Sequence, residues 1–205
     1  MARPRAATYD DQRAHILAEA AGLFAQRGYT ATTMNDVAAA CAVSKAALYH
    51  YFADKHDLLA HIAVEHVARL EALVQAVTVE QPDAAQRLDA LICRFTAAYA
   101  NAQNEHRVLT EDVKFLRDDD RGRITAAQKR VVAGFAQPIA VLRPDLKAQS
   151  TALAMLLFGM INWTFTWLKP GDTLTHAQLA PMVSQLFFGG LPAARKPAGR
   201  RIRSP

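Results

Sequence analysis

Residues 44–50 place four chemically useful side chains close together. Ser44, Lys45, Tyr49 and His50 carry a hydroxyl, an ammonium, a phenol and an imidazole. On a helix these groups, together with Ala46, would point outward from a face that is not needed for packing. Groups of this kind form hydrogen bonds to phosphate oxygens and to the edges of bases. The segment therefore predicts a surface that contacts DNA.

Two short helices joined by a tight turn would position these side chains. Thr33 is a candidate N-cap for the first helix, with Asp36 in the capping-box position, and this helix is expected to end near Cys41. Ser44 is a candidate N-cap for the second helix, which is expected to run to about His50. The residues expected to hold the two helices together are small or apolar: Val37, Ala38, Val43, Ala47 and Leu48. This is the form of a helix-turn-helix, whose second helix enters the major groove of DNA.

The remaining sequence also predicts helices. Strand signals are scarce, alanine is abundant, and 205 residues with 51% hydrophobic content suffice for a core. The first helix is expected to start near Asp10 or Asp11 and to end at Arg27, and a long helix capped by Asp54 and Asp57 is expected to run to about Val77. Further helices are expected at about 83–102, 105–118, 122–142, 146–168 and 175–188, and Pro138 is expected to bend or break one of them. We therefore predict an all-α fold.

The net charge of +5 and the isoelectric point of about 9.4 have a local source. Residues 195–203 contain five basic residues and no acidic residue, and without those five the basic and acidic residues are equal in number. The bulk charge is therefore weak evidence for DNA binding, and we expect residues 193–205 to form a basic, disordered tail.

The residues around the helix-turn-helix follow a specific pattern. It reads Ile16-Leu-x-x-Ala-x-x-Leu-Phe-x-x-x-Gly-Tyr-x-x-Thr-Thr-x-x-Asp-Val-Ala38, and then Val43-Ser-Lys-x-x-Leu-Tyr-x-Tyr-Phe-x-x-Lys-x-x-Leu58. This pattern resembles the DNA-binding domain of TetR-family transcriptional repressors. The family usually has Ala-Gly before Val-Ser, where this chain has Cys41-Ala42. A left-handed backbone there would cost alanine about 1 kcal/mol relative to glycine.

The resemblance implies roles for individual residues. It implies phosphate contacts by Thr33, Tyr49 and Lys55, with Ser44 in the same DNA-binding set. It also implies contacts with base edges or the groove by Lys45, Ala46 and His50. Lys55 would begin a helix whose free N–H groups favour an anion. Tyr51 and Phe52 are expected to pack in the core or at a hinge.

The larger C-terminal part carries a second, shorter resemblance. Residues 158–174 read Phe-Gly-Met-Ile-Asn-Trp-Thr-Phe-Thr-Trp-Leu-Lys-Pro-Gly-Asp-Thr-Leu. They look like a segment of the TetR branch that senses acyl-CoA thioesters, including regulators of fatty-acid and phenylacetate breakdown, although Leu168 and Asp172 depart from that pattern. The resemblance implies that the last two long helices form a homodimer. It also implies a repressor that leaves a palindromic operator when a small-molecule effector binds, such as an acyl-CoA or an aryl-CoA like phenylacetyl-CoA.

This reading divides the chain into a DNA-binding domain at 1–55, an effector-binding and dimerisation domain at 56–192, and the tail. Candidate effector contacts are aromatic or hydrogen-bonding residues on helices expected to surround a cavity: Phe95, Tyr99, Phe115, Phe158, Asn162, Trp163 and Thr166. Ordinary core packing is the competing interpretation for each of them.

Other classes of protein are disfavoured. Residues 148–168 are uncharged and long enough to cross a membrane, but their polar residues favour a buried dimer or pocket helix. His61 and Glu65 share a helix face without an evident third metal ligand, and the sequence has no catalytic motif, so we expect neither an enzyme nor a cofactor. A basic N-terminus without an apolar segment and only two cysteines favour a cytoplasmic protein. A repressor that responds to another hydrophobic ligand, such as a drug or an efflux substrate, or to none, stays open as an alternative.

Overall fold

The computed structural model describes residues 3–168, 171 and 173–196, with side chains from residue 9 onward. In this part of the chain the secondary structure is helical, which confirms the predicted all-α fold. The helices are α1 (Arg3–Arg27), α2 (Met34–Ala40), α3 (Lys45–Tyr51), α4 (Lys55–Glu80), α5 (Ala84–Asn101), α6 (Gln103–Glu111), α7 (Asp118–Leu142), α8 (Ser150–Asn162), α9 (Thr164–Trp167) and α10 (His176–Gly190). Short 3₁₀ turns span Val113–Phe115, Pro144–Gln149 and Leu191–Ala193.

Side-chain caps fix the starts of several helices. At α2 the hydroxyl of Thr33 accepts a hydrogen bond from the backbone N–H of Asp36, and the Asp36 carboxylate accepts one from the N–H of Thr33, as the sequence predicts. Thr175 forms the same capping box at α10, with Gln178 as its partner. These caps are local in sequence, which is why the predicted starts at residues 33 and 175 are correct.

Four predicted helices differ from the structure, one of them being α7, which begins at Asp118 rather than at 122 and continues through Pro138. Helix α1 begins at Arg3 rather than near residue 10, because Pro4 is tolerated in a first turn and the alanines that follow favour helix. The helix expected at 105–118 ends at Glu111 and gives way to a 3₁₀ turn. The helix expected at 146–168 is interrupted at Trp163, between α8 and α9. At this break the hydroxyl of Thr164 donates a hydrogen bond to the carbonyl oxygen of Ile161 at 2.8 Å.

Two compact units make up the fold. The N-terminal unit contains residues up to Glu71 together with Asn101–Gln128, and the C-terminal unit contains Ala72–Ala100 and the residues from Lys129 onward. The N-terminal unit thus includes residues 55–71 of α4 and the whole of α6, whereas the sequence predicted a domain boundary at 55/56. Most of the predicted basic tail, at 197–205, lies outside the described residues.

Helix α6 is part of the N-terminal unit because it packs against α1 and α4. It contacts α1 along its length, and it carries His106, whose Nδ1 lies 3.4 Å from Nε2 of His66 on α4. Both imidazoles are buried. Most of this core is apolar, and its largest fully buried side chains include Ile16, Phe24, Leu48, Phe52, Leu58, Leu59 and Ile124.

The C-terminal unit has an aromatic core. The ring of Phe135 on α7 lies 4.8 Å from that of Phe95 on α5 and 4.7 Å from that of Phe158 on α8. Gly134 allows the backbone of α7 to approach α4, because an added Cβ would lie 2.3 Å from a methyl group of Val74. None of the described helices is both long enough and apolar enough to span a bilayer.

Candidate nucleic-acid interface

The turn between α2 and α3 is tight and hydrogen-bonded. The N–H of Val43 donates to the carbonyl oxygen of Ala38 at 3.0 Å, and the N–H of Cys41 donates to that of Val37 at 3.0 Å. Ala42 between them has φ of 53°, which is the left-handed conformation that favours glycine. The Cys41-Ala42 substitution in the family pattern therefore falls on the position that needs this backbone.

Helix α3 presents the predicted face to solvent. Ser44, Lys45, Ala46, Tyr49 and His50 are exposed, whereas Leu48 is fully buried. The hydroxyl of Ser44 caps the helix by accepting from the N–H of Ala47 at 3.1 Å. The ammonium of Lys45 lies 5.9 Å from the ring centroid of Tyr49, so a cation and a phenol are adjacent on this face.

The end of α3 packs against α1. Tyr51 stacks on Tyr9 with ring centroids 4.6 Å apart, and His50 meets both rings edge-on. Phe52 is buried and contacts the Arg13 guanidinium, 5.4 Å from its ring centroid. Phe52 thus packs in the core of the unit, and the half-buried Tyr51 packs against α1. The sequence did not predict this contact of Tyr9, because it depends on α1 beginning before residue 10.

Beside this face lies a shallow depression of about 340 Å³. It is lined by Thr30, Thr32, Thr33, Met34, Asn35, Lys45, Tyr49 and Lys55. Four of the predicted DNA-binding residues therefore line one surface: Thr33, which caps α2, Lys45 and Tyr49 on α3, and Lys55 on α4. Its two lysines and its hydroxyl groups are suited to a phosphate oxygen.

Lys55 is held by the loop between α1 and α2. Its ammonium donates to the carbonyl oxygens of Tyr29 and Thr32, each at 2.8 Å, and lies 3.4 Å from that of Thr30. It also lies 4.4 Å from the ring centroid of Tyr29. Because an ammonium has three donors and the third contact is long, one proton can turn toward an added anion.

The start of α4 differs from the expected anion site. The Asp54 carboxylate accepts from the N–H of Asp57 at 2.8 Å, and the Asp57 carboxylate accepts from the N–H of Ala53 at 2.9 Å. The helix N-terminus already carries its own anions, so the expected attraction of phosphate to free N–H groups there is wrong. Positive charge at this place comes from the Lys55 side chain instead.

The hydroxyl of Thr33 makes a further hydrogen bond within the same capping box. Its hydroxyl donates to the Asp36 carboxylate at 2.6 Å. Hydrogen bonds from the hydroxyl and the backbone of Thr33 lower the pKa of Asp36. A phosphate that takes a hydrogen bond from this hydroxyl would therefore have to replace Asp36 as its acceptor.

Phe115 belongs to a different compact unit from the other predicted effector residues. It belongs to the N-terminal unit, where its ring stacks on Tyr29 at 5.0 Å and its carbonyl oxygen lies 3.3 Å from Nδ1 of His56. The prediction that it lines a pocket with Phe95 assumed that α6 continues to residue 118. The end of α6 at Glu111 redirects the chain and the ring.

The remaining predicted effector residues lie in the C-terminal unit but not in one cluster. Phe95, Tyr99 and Phe158 are buried, and the Phe95 ring lies within 6.1 Å of the other two. Trp163 is 61% exposed, and the Thr166 hydroxyl donates to its carbonyl oxygen at 2.7 Å. The Oδ1 atom of Asn162 is buried without a hydrogen-bond partner among the described residues.

The two residues considered as a metal pair have other partners. Glu65 forms an ion pair with Arg13 at 2.6 Å, and Nδ1 of His61 lies 2.9 Å from the carbonyl oxygen of Asp57. The cysteines are free, and burial raises the pKa of Cys41 to about 11, so its thiol stays protonated at neutral pH.

Comparison with known proteins covers most of the chain. Residues 16–62 match the family described as "Bacterial regulatory proteins, tetR family", and residues 81–191 match "Tetracyclin repressor-like, C-terminal domain". The chain is 32% identical to a TetR-family transcriptional regulator from Bordetella parapertussis, with a TM-score of 0.83 over 90% of this chain and 98% of that one.

Two other relatives have more specific descriptions. The chain is 25% identical over 195 residues to the transcriptional repressor KstR2 of Mycobacterium tuberculosis. The aligned region covers 89% of this chain and 94% of KstR2. It is 26% identical to AibR in a crystal structure with isovaleryl coenzyme A and operator DNA, with a TM-score of 0.74 over 85% of this chain and 97% of AibR.

Proposed function

The chain belongs to the TetR family of bacterial regulatory proteins, and we propose that it is a ligand-responsive transcriptional repressor that binds a palindromic operator as a homodimer. The observation that carries the proposal is the exposed face of α3 beside a depression lined by Lys45, Tyr49 and Lys55. A buried Leu48 and a hydrogen-bonded turn hold this face rigidly, as major-groove recognition requires.

Six of the seven predicted DNA-binding residues divide into two roles. Thr33, Tyr49 and Lys55 contact phosphates at the edge of the groove, and Lys45, Ala46 and His50 contact bases inside it. Ser44 caps the recognition helix and presents its first turn. Phosphate contacts contribute affinity for any duplex, whereas base contacts discriminate between sequences.

A homodimer accounts for an exposed apolar surface in the C-terminal unit. Met155 and Leu156 on α8 and Met182 and Leu186 on α10 are about half or more exposed, and these two helices contact each other. Exposed apolar surface of this kind is typical of a protein interface. A second copy of the chain is the partner that the family implies.

A charge placed on this surface tests the dimer. Leu186→Glu is expected to convert the dimer to a monomer in analytical ultracentrifugation and to abolish tight operator binding. Val141→Glu, at another exposed apolar position of the same unit, is the control and should leave the dimer intact. A wild-type chain that sediments as a monomer at micromolar concentration would contradict the proposal.

The effector is proposed to be an acyl-CoA or aryl-CoA thioester. Support comes from the AibR structure with isovaleryl coenzyme A and from the Asn-Trp segment. The buried Oδ1 of Asn162 can accept a hydrogen bond from an amide N–H, a group that the pantetheine arm of coenzyme A carries. The alternative is another hydrophobic ligand of the same C-terminal unit, or none.

Thermal unfolding with a panel of compounds tests the effector class. Isovaleryl-CoA or phenylacetyl-CoA at about 100 times its dissociation constant should stabilise the fold by about 2.7 kcal/mol, whereas free coenzyme A should do less. Asn162→Leu should reduce the stabilisation by the thioester. Release of bound duplex by the same compound, followed by fluorescence anisotropy, would identify it as an inducer. Stabilisation only by compounds without coenzyme A would overturn the thioester assignment.

A further inference from the structure

The segment after α6 makes three contacts around Lys55, the lysine that lines the depression. The ring of Phe115 stacks on Tyr29, with centroids 5.0 Å apart and planes 22° apart. The carbonyl oxygen of Phe115 lies 3.3 Å from Nδ1 of His56. The guanidinium of Arg117 lies 2.6 Å from the carboxylate of Asp54. Segment 113–117 therefore contacts both chain neighbours of Lys55, which are Asp54 and His56. It also contacts Tyr29, which binds the Lys55 ammonium.

The contact through Tyr29 reaches the ammonium directly. Tyr29 is buried, and its carbonyl oxygen and ring both contact Lys55. The Phe115 ring thus holds Tyr29 in place, and Tyr29 in turn holds the Lys55 ammonium. If this ring is removed, Tyr29 can change its position, and the ammonium and the loop carbonyls that bind it will follow.

The contact through Arg117 reaches the backbone of Lys55. Asp54 caps α4, and the Arg117 guanidinium binds the second oxygen of the same carboxylate. Burial alone would raise the pKa of Asp54, but the hydrogen bonds from the Asp57 backbone and from Arg117 outweigh it and lower the pKa. The carboxylate therefore stays ionised and keeps the first turn of α4 in place.

We propose that Phe115 and Arg117 are positioning residues for DNA binding, which hold Lys55 and the adjoining α1–α2 loop where the depression can accept a phosphate. This inference rests on the proposed function. Neither residue lines the depression, and neither is proposed to contact DNA. Both act through Lys55.

A double-mutant cycle separates positioning from a general effect on folding. The duplex is one that the wild-type protein selects from a randomised pool, and affinity is measured by anisotropy at several salt concentrations. Phe115→Ala should weaken binding about tenfold and reduce the slope of log affinity against log salt by about one, as the loss of one phosphate contact does. In the Lys55→Gln background the same substitution should change affinity by less than about twofold.

Two further variants distinguish positioning from misfolding. Phe115→Tyr keeps the stack and should retain the wild-type affinity and salt slope. Arg117→Gln removes an exposed ion pair that contributes little to folding, and it should weaken binding through Lys55 as well. Arg107→Gln is its control, because Arg107 loses the same charge from an exposed pair with Glu111 on α6. This control should retain the wild-type salt slope.

The outcomes distinguish the two proposals. Tight binding by the wild type with an unchanged salt slope in Phe115→Ala, or equal losses with and without Lys55, would overturn the positioning role and leave the repressor proposal standing. A wild type that selects no duplex from the pool would overturn both.

Discussion

The ammonium of Lys55 lies 2.8 Å from the carbonyl oxygen of Tyr29 and 4.4 Å from the centroid of the same residue's ring. One lysine thus ties the start of α4 to the loop that leads into the helix-turn-helix. The same side chain supplies positive charge to the depression beside α3. Stability of the N-terminal unit and affinity for phosphate therefore depend on one group.

Replacing this lysine should affect both properties. Lys55→Gln is expected to lower the free energy of unfolding by about 1–3 kcal/mol, because charge-assisted hydrogen bonds to backbone carbonyls are lost. It should weaken binding to a selected duplex and to a scrambled duplex by the same factor and reduce the salt slope by about one. Urea titration and anisotropy measure the two effects. Lys129→Gln, at an exposed position of the C-terminal unit, should change neither, and a loss confined to the selected duplex would contradict the phosphate role.

Ala42 occupies a backbone conformation that suits glycine. With φ of 53°, Ala42→Gly should stabilise the chain by about 1 kcal/mol, as measured by urea titration. Ala39→Gly, three residues earlier and inside α2, should instead destabilise it by about the same amount, since glycine is a poor helix former. Destabilisation by Ala42→Gly would show that the turn does not carry this strain in solution.

Most of the local structure could be predicted from the sequence, whereas the long-range contacts could not. The caps at Thr33 and Ser44 lie within three residues of their partners, so a short pattern predicts them. The stack of Phe115 on Tyr29 joins residues far apart in the chain, and no pattern in the sequence encodes it. The same holds for the contact of Tyr9 with Tyr51.

The role of Lys55 shows the same limit. The resemblance implies a phosphate contact by Lys55, and the structure places this lysine in the depression that Lys45 and Tyr49 also line. The predicted cause, free N–H groups at the start of α4, does not apply, because Asp54 and Asp57 form hydrogen bonds there. The ammonium of Lys55 is bound instead by backbone carbonyl oxygens of residues 29–32, which lie far from it in the sequence.

Close packing of α4 and α7 depends on Gly134. A Cβ at this position would lie 2.3 Å from Val74, so Gly134→Ala should lower the free energy of unfolding by about 1–3 kcal/mol through overpacking. Gly122→Ala is a matched control in the same helix, where an added Cβ meets nothing within 4 Å, and it should stabilise the chain by up to about 1 kcal/mol. Chemical denaturation compares the two. Combining Val74→Ala with Gly134→Ala should restore part of the stability that Gly134→Ala loses. Similar effects of Gly134→Ala and Gly122→Ala on stability would rule out the clash.

Acid should destabilise the N-terminal unit through His66. Burial, the neighbouring His106 and Arg69 lower the pKa of His66 from 6.5 to about 3. Below pH 6.5 the unfolded chain takes up a proton that the folded chain does not. Stability is therefore complete above pH 6.5 and falls by up to about 1.4 kcal/mol per pH unit from this group as the pH is lowered toward 3.

Removing the imidazole should flatten this dependence. In urea titrations between pH 4.5 and 7.5, His66→Gln should lose less stability per pH unit than the wild type, whatever its stability at neutral pH. His15→Gln, at an exposed position of α1, should keep the wild-type slope. A wild-type slope in His66→Gln would assign the acid sensitivity to other groups.

We expect the exposed face of α3 to lie in the major groove in each subunit of a dimer. Methylation protection of guanine N7 on a selected duplex examines this contact, because N7 lies on the floor of that groove. Protection is expected in two symmetric half-sites, and His50→Ala is expected to weaken binding to the selected duplex by about 1–3 kcal/mol while binding to a scrambled duplex is unchanged. Protection in a single half-site, no protection at N7, or equal losses on both duplexes would contradict it.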